Sequence, residues 1–176
     1  MRIYSLVFVL FFSPLVLAES IKPSEPIEHA TFVQTPYLEP KVAFEFYFDN
    51  PNKINSALYW IRSYINPLSE APYNFAPEFM DIKVIIHGTE IVTLAKKNYN
   101  KYKETVERMK YYSMLGVEFR VCGLAAKDYD YEKEDFHSFV KIVPSAIIEI
   151  GHWQQKGYAI IKPEIMDKKF SIEEIR

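Results

Sequence analysis

Residues 41–65 read KVAFEFYFDNPNKINSALYWIRSYI, and this stretch decides the fold class. VAFEFYF is rich in aromatic and branched residues, the composition of a strand. Asp49-Asn50-Pro51 ends it. Asn50 is a good helix N-cap because its side-chain oxygen can accept an orphan N–H, and Pro51 suits a first helical position, where no N–H is needed. Ile54, Leu58, Ile61 and Ile65 then recur at spacings of four, three and four, which is one apolar face of a helix. The unit is strand, tight turn, helix.

The same alternation continues downstream. DIKVIIHG is a second strand ending at His87-Gly88, and residues 89–97 open a short helix. Tyr102, Val106, Met109 and Tyr112 line one face of a longer helix that stops at Gly116. VEFRVCG is a third strand ending in Cys122-Gly123, and KDYDYEKEDF reads as an acidic, aromatic loop. A short fourth strand covers residues 139–143. Pro144 starts a last helix through Ile147, Ile150 and Trp153 that Gly157 ends, and YAIIKP is a fifth strand. Residues 66–80, NPLSEAPYNFAPEFM, carry three prolines and no period, so they read as one long connection, either a binding loop or a surface insertion. Apolar strands alternating with helices predict an α/β fold: a three-layer α/β/α sandwich on a mostly parallel sheet of about five strands.

The ends of the chain read differently. Arg2 precedes an apolar run from Ile3 to Phe12, and Ser13 and Pro14 break it before Val16-Leu17-Ala18. This is the pattern of an export signal cleaved after Ala18, and the run is too short to span a bilayer. The expected organisation is a signal peptide at 1–18, an extended lead-in at 19–40, the α/β domain at 41–162, and a charged tail at 163–176. The mature protein is then expected in the periplasm or secreted, free of the membrane. Without its first 18 residues the chain keeps 20 basic and 23 acidic side chains, a net charge near −3. With no basic stripe to offset that charge, nucleic-acid binding is not expected.

In parallel sheets, sites gather outside the carboxyl ends of the strands. That rule selects Asp49 and Asn50, then His87, Gly88 and Thr89, then Cys122 and Gly123. Cys122 is the chain's one cysteine, so no intramolecular disulfide can form. A thiol at a strand end can be held as thiolate by N–H groups of the next turn, here those of Gly123 and Leu124, with His87 as a proton partner. It can equally be a small buried hydrophobe that closes the strand. Gly88 and Thr89 offer N–H and hydroxyl donors to an anionic group. No metal-binding spacing of His and Cys is present, and neither GxGxxG, a P-loop, GxSxG nor CxxC occurs, so no metal or cofactor is expected.

The strand ending VIIHG, the helix stopping at Gly116, the strand ending VCG and the closing GYAIIKP occur in this order over roughly residues 41–162. Together they resemble the DsrE/DsrF-like family, with the leader pointing to an exported subgroup. The resemblance implies a compact parallel α/β fold and homo-oligomers, trimers or hexamers. In the sulfur-relay members, a cysteine at the place matched by Cys122 holds sulfur as a persulfide and exchanges it with donor and acceptor proteins. Two functions follow. One is a sulfur carrier, sulfurtransferase-like, acting through Cys122. The other is a non-catalytic oligomeric module that binds a small molecule or a protein, with Cys122 as packing.

Overall fold

The computed structural model describes residues 29–176. The expected leader at 1–18 and the first part of the lead-in lie outside the described residues. The chain divides between Thr35 and Pro36. Residues 29–35 contain no helix or strand, and the fold is that of Pro36–Arg176.

Within it, chain order gives β1 (Lys41–Phe46), α1 (Ile54–Ser69), β2 (Asp81–Ile86), α2 (Tyr99–Met114), β3 (Glu118–Cys122), α3 (Gly123–Asp128), β4 (Val140–Val143), α4 (Ala146–Gln155), β5 (Ala159–Ile161) and α5 (Ile172–Ile175). The five strands form one sheet in the order β4-β3-β2-β1-β5, with every pairing parallel. The α/β architecture is the one expected.

Alternation along each strand sorts side chains to two unlike faces. Val42, Phe44 and Phe46 of β1, Ile82, Val84 and Ile86 of β2, and Phe119 and Val121 of β3 join the larger core. That core is closed by Ile54, Leu58, Ile61 and Ile65 of α1 and by Tyr102, Val106, Met109 and Tyr112 of α2. Each large side chain buried there, such as Phe44 or Phe119, contributes about 2 kcal/mol by leaving water. Gly116 ends α2 at φ 93°, a conformation that suits glycine. Asn50 caps the turn Pro51–Lys53 that leads into α1, its Oδ1 accepting the Asn52 N–H at 2.9 Å.

Three expectations need correction. The helix after β1 does not stop at Ile65: α1 runs to Ser69 with Pro67 inside it, because Leu68 continues the same buried stripe. The rest of the 66–80 segment folds against the larger core through Tyr73, Phe75 and Met80. Cys122 is followed by helix α3, not directly by the acidic loop. Finally, Ile147 is 71% exposed, and α4 packs on the sheet through Ala146, Ile150 and Trp153.

The face under α4 is largely polar. Glu118 of β3 is its centre, accepting from Lys83 at 2.7 Å, Arg120 at 2.7 Å and Lys141 at 2.6 Å. Arg120 also bonds Glu149 of α4 at 2.7 Å, and Glu149 accepts the Trp153 indole N–H at 2.8 Å. Lys83 reaches Asp81 at 2.6 Å, and Asp81 accepts the Tyr158 hydroxyl. This ion-pair network ties three strands to α4.

Burial raises the Glu118 pKa, but hydrogen bonds and charge from Lys141 and Lys83 outweigh it and bring the group from 4.5 to about 2. A carboxyl depressed in the folded state stabilises fully above its unfolded pKa, and that stability is lost as pH falls through the folded value. Thermal unfolding should therefore show a loss of about 1–2 kcal/mol from this group between pH ~4.5 and pH ~2, after allowance for solvent screening. Glu118→Gln should flatten the pH dependence over that window. An unchanged slope in the variant would show that Glu118 is not responsible.

The sheet has two short edges. β4 carries Lys141 and is followed by Pro144, and β5 is three residues long and is followed by Lys162-Pro163.

Candidate functional site

The strand ends meet in a crevice of about 490 Å³. The end of β1 supplies Tyr47, Phe48 and Asp49, and the end of β2 supplies His87, Gly88 and Thr89. The third wall is α3, through Ala125, Asp128 and Tyr129.

A buried carboxylate holds the floor together. Glu90 is fully buried, and its two oxygens accept the Gly88 N–H at 2.9 Å and the Phe48 N–H at 3.0 Å. Burial pushes its pKa up, against these backbone hydrogen bonds, which favour the ionised form. The Thr89 N–H and hydroxyl both donate to the Phe48 carbonyl at 2.9 Å, so with the Phe48 N–H on Glu90 the ends of β1 and β2 are laced by three bonds. Gly88 is required at this place because a Cβ there would lie 2.4 Å from Phe48 N and 2.7 Å from Phe48 O.

His87 is the crevice's oriented ring. Its Nε2 lies 3.1 Å from Glu45 Oε1, the same oxygen that receives Lys162 Nζ at 3.1 Å. A carboxylate only accepts, so Nε2 bears the hydrogen and, in the neutral ring, Nδ1 bears the lone pair. Tyr47 stacks on the imidazole with centroids 4.6 Å apart. Lys162 Nζ sits 5.4 Å from the Tyr47 ring centre. Asp49 is paired with Lys53 at 2.8 Å, and that ammonium holds its carboxyl below the usual range.

Of the candidate residues, Asp49, His87, Gly88 and Thr89 come together in the crevice. Asn50 is occupied with its capping bond outside the crevice walls. Gly123 opens α3 with its α-carbon against β4, where an added Cβ would stand 2.9 Å from the Val143 carbonyl. Cys122 is 6% exposed and packs in a smaller apolar cluster with Ala43, Ile85, Ala146 and Tyr158, on the α4 side of the sheet. Its Sγ accepts an N–H from Ala125 at 3.5 Å, not from Gly123 or Leu124.

Sequence reading did not single out Glu45, Tyr47, Glu90, Asp128, Tyr129 or Lys162. Glu90 had a signal: it is a lone acid in HGTEIVTL, flanked by residues that bury. Among the described residues, no group of three or more His, Cys, Asp or Glu side chains could hold a metal ion. No described helix is long and apolar enough to cross a membrane.

A family model for the DsrE/DsrF-like family matches residues 41–163, from the start of β1 to just past β5. The chain belongs to the DsrE/DsrF-like family. No curated protein matches it. Among solved structures, it resembles a protein of unknown function from Methanobacterium thermoautotrophicum, with TM-score 0.55 and 19% identity over 69% of this chain and 97% of that one. A conserved protein of unknown function from Bacteroides thetaiotaomicron aligns at TM-score 0.47 and 12% identity over 70% of this chain and 95% of that one. The first of these likenesses supports the DsrE-like fold.

Proposed function

We propose that this DsrE-like domain is a ligand-binding module whose site is the strand-end crevice, with His87 as its central polar group and Cys122 as a packing residue. The observation that carries this reading is that the thiol is buried and is not among the residues lining the crevice. Cys122 is 6% exposed against Ala43, Ile85, Ala146 and Tyr158, whereas the crevice is walled by the strand ends and α3. A sulfur carrier needs an accessible thiolate. A binding site needs a preformed concavity with a few fixed polar groups, and the Glu45–His87 and Glu90 bonds provide that fixation.

One observation favours the second reading, sulfur carriage as a Cys122 persulfide: the Ala125 N–H in the first turn of α3 is directed at Sγ. In that chemistry the Cys122 thiolate attacks the outer sulfur of a donor persulfide and the donor thiolate leaves. An acceptor thiolate then takes the terminal sulfur, and the Cys122 thiolate is regenerated.

Thiol reactivity separates the two. In the folded protein, iodoacetamide should modify Cys122 roughly a hundredfold more slowly than in urea, and polysulfide should add no mass. A reductant-reversible gain of about 32 Da per sulfur, absent from Cys122→Ser, would overturn the packing role and make Cys122 the functional residue.

A further inference from the structure

We infer that the crevice takes a small organic cation with an apolar body, an aralkyl primary amine in the simplest case; this rests on the binding-module reading above. The donors of Phe48, Gly88, Thr89 and Ala125 in the walls are all held within the protein. The N–H groups of Phe48 and Gly88 are held by Glu90. The N–H and hydroxyl of Thr89 are held by the Phe48 carbonyl, and the Ala125 N–H is held by Cys122 Sγ. The donors that sequence reading offered to an anion, those of Gly88 and Thr89, are thus engaged within the protein.

What remains is acceptor and aromatic. Asp128 is exposed at the end of α3 and carries a carboxylate, and the Asp49 carboxylate, paired with Lys53, stands at the end of β1. The phenols of Tyr47 and Tyr129 can serve either way, and their half-exposed rings flank the cavity. No Lys or Arg lines it. The Tyr129 ring attracts a cation and the Asp128 carboxylate accepts its hydrogens, whereas an anion would meet that carboxylate while the wall donors named above are engaged and Lys53 is paired with Asp49. A cavity of about 490 Å³ suits a molecule of this size.

The test titrates benzylamine, benzyl alcohol and benzoate separately into the ¹⁵N-labelled full chain, following amide shifts. Benzylamine should move the amides of Gly88, Thr89 and Ala125, benzyl alcohol should bind about tenfold more weakly, and benzoate should leave these amides in place. Asp128→Asn, a substitution at an exposed position, should weaken benzylamine about fivefold. Benzoate binding at these amides as tightly as benzylamine would overturn the cation and leave the crevice a binding site. Benzyl alcohol binding as tightly as benzylamine, with benzylamine unweakened in Asp128→Asn, would also overturn the cation. No shift at the crevice with any probe would overturn both readings.

Discussion

Glu90→Ala is expected to destabilise the domain by about 3 kcal/mol, seen as a lower urea midpoint with an unchanged slope. The carboxylate is fully buried and receives the N–H groups of Phe48 and Gly88. Removing it leaves two buried donors without a partner, each costing about 1–3 kcal/mol. Relief from burying a carboxyl group, which shows in its raised pKa, offsets part of that. Glu90→Gln keeps one acceptor oxygen but turns an NH₂ toward an N–H, so about half the loss should remain. A Glu90→Ala protein unfolding at the unaltered midpoint would mean that this clamp does not hold the strand ends together.

Gly88→Ala should be at least as damaging, at about 3–5 kcal/mol, for a purely steric reason. The backbone at Gly88 has φ −101° and ψ −160°, which alanine adopts freely. The obstacle is space: the new methyl would stand 2.4 Å from Phe48 N, 2.7 Å from Phe48 O and 2.6 Å from Glu90 Oε2. Two of these atoms are backbone, so relief requires the ends of β1 and β2 to separate and the bonds from Thr89 to Phe48 to break. Gly151 supplies the control, because a methyl there meets nothing within 4 Å. In the interior of α4, Gly151→Ala should be neutral or stabilising by up to about 1 kcal/mol. Equal midpoints for Gly88→Ala and Gly151→Ala would refute the contact argument. Because both large effects fall on the crevice floor, they report the integrity of the site as well as the stability of the fold.

The sheet and the two long helices were readable because their signals are periodic. The stripes Ile54-Leu58-Ile61-Ile65 and Tyr102-Val106-Met109-Tyr112 are buried as their spacing requires. The start of the 66–80 segment, expected as connection, is instead the end of α1, since the pull of Leu68 toward the same stripe prevails over one N–H missing at Pro67. The six residues of α3 are too few to show a period, so the third wall of the crevice went unseen.

The site was half legible. The strand-end rule brought out His87, Gly88 and Thr89, which do line the crevice. It could not say that their donors would be engaged by Glu90 and Phe48, because those partners depend on how two strand ends dock. The side taken by Cys122 was available by counting. Phe119 and Val121 point into the larger core, so Cys122 shares the opposite face with Glu118 and Arg120. The charges in DIKVII and EFRVC were the sign that this face is an ion-pair layer and not a second oil-like one.

The short edges of the sheet bear on how this protein behaves in crowded company. An unpaired strand edge is a template onto which a neighbouring molecule can add its own strand, the first step toward fibrous aggregates. Here one edge offers four residues with a lysine among them and a proline at its exit, and the other offers three before Lys162 and Pro163. Proline cannot donate to a growing ladder, and a lysine brought into register with its own copy repels it. Copies of this domain that do associate are therefore steered to meet through helices and loops, and a concentrated solution is guarded against runaway strand addition.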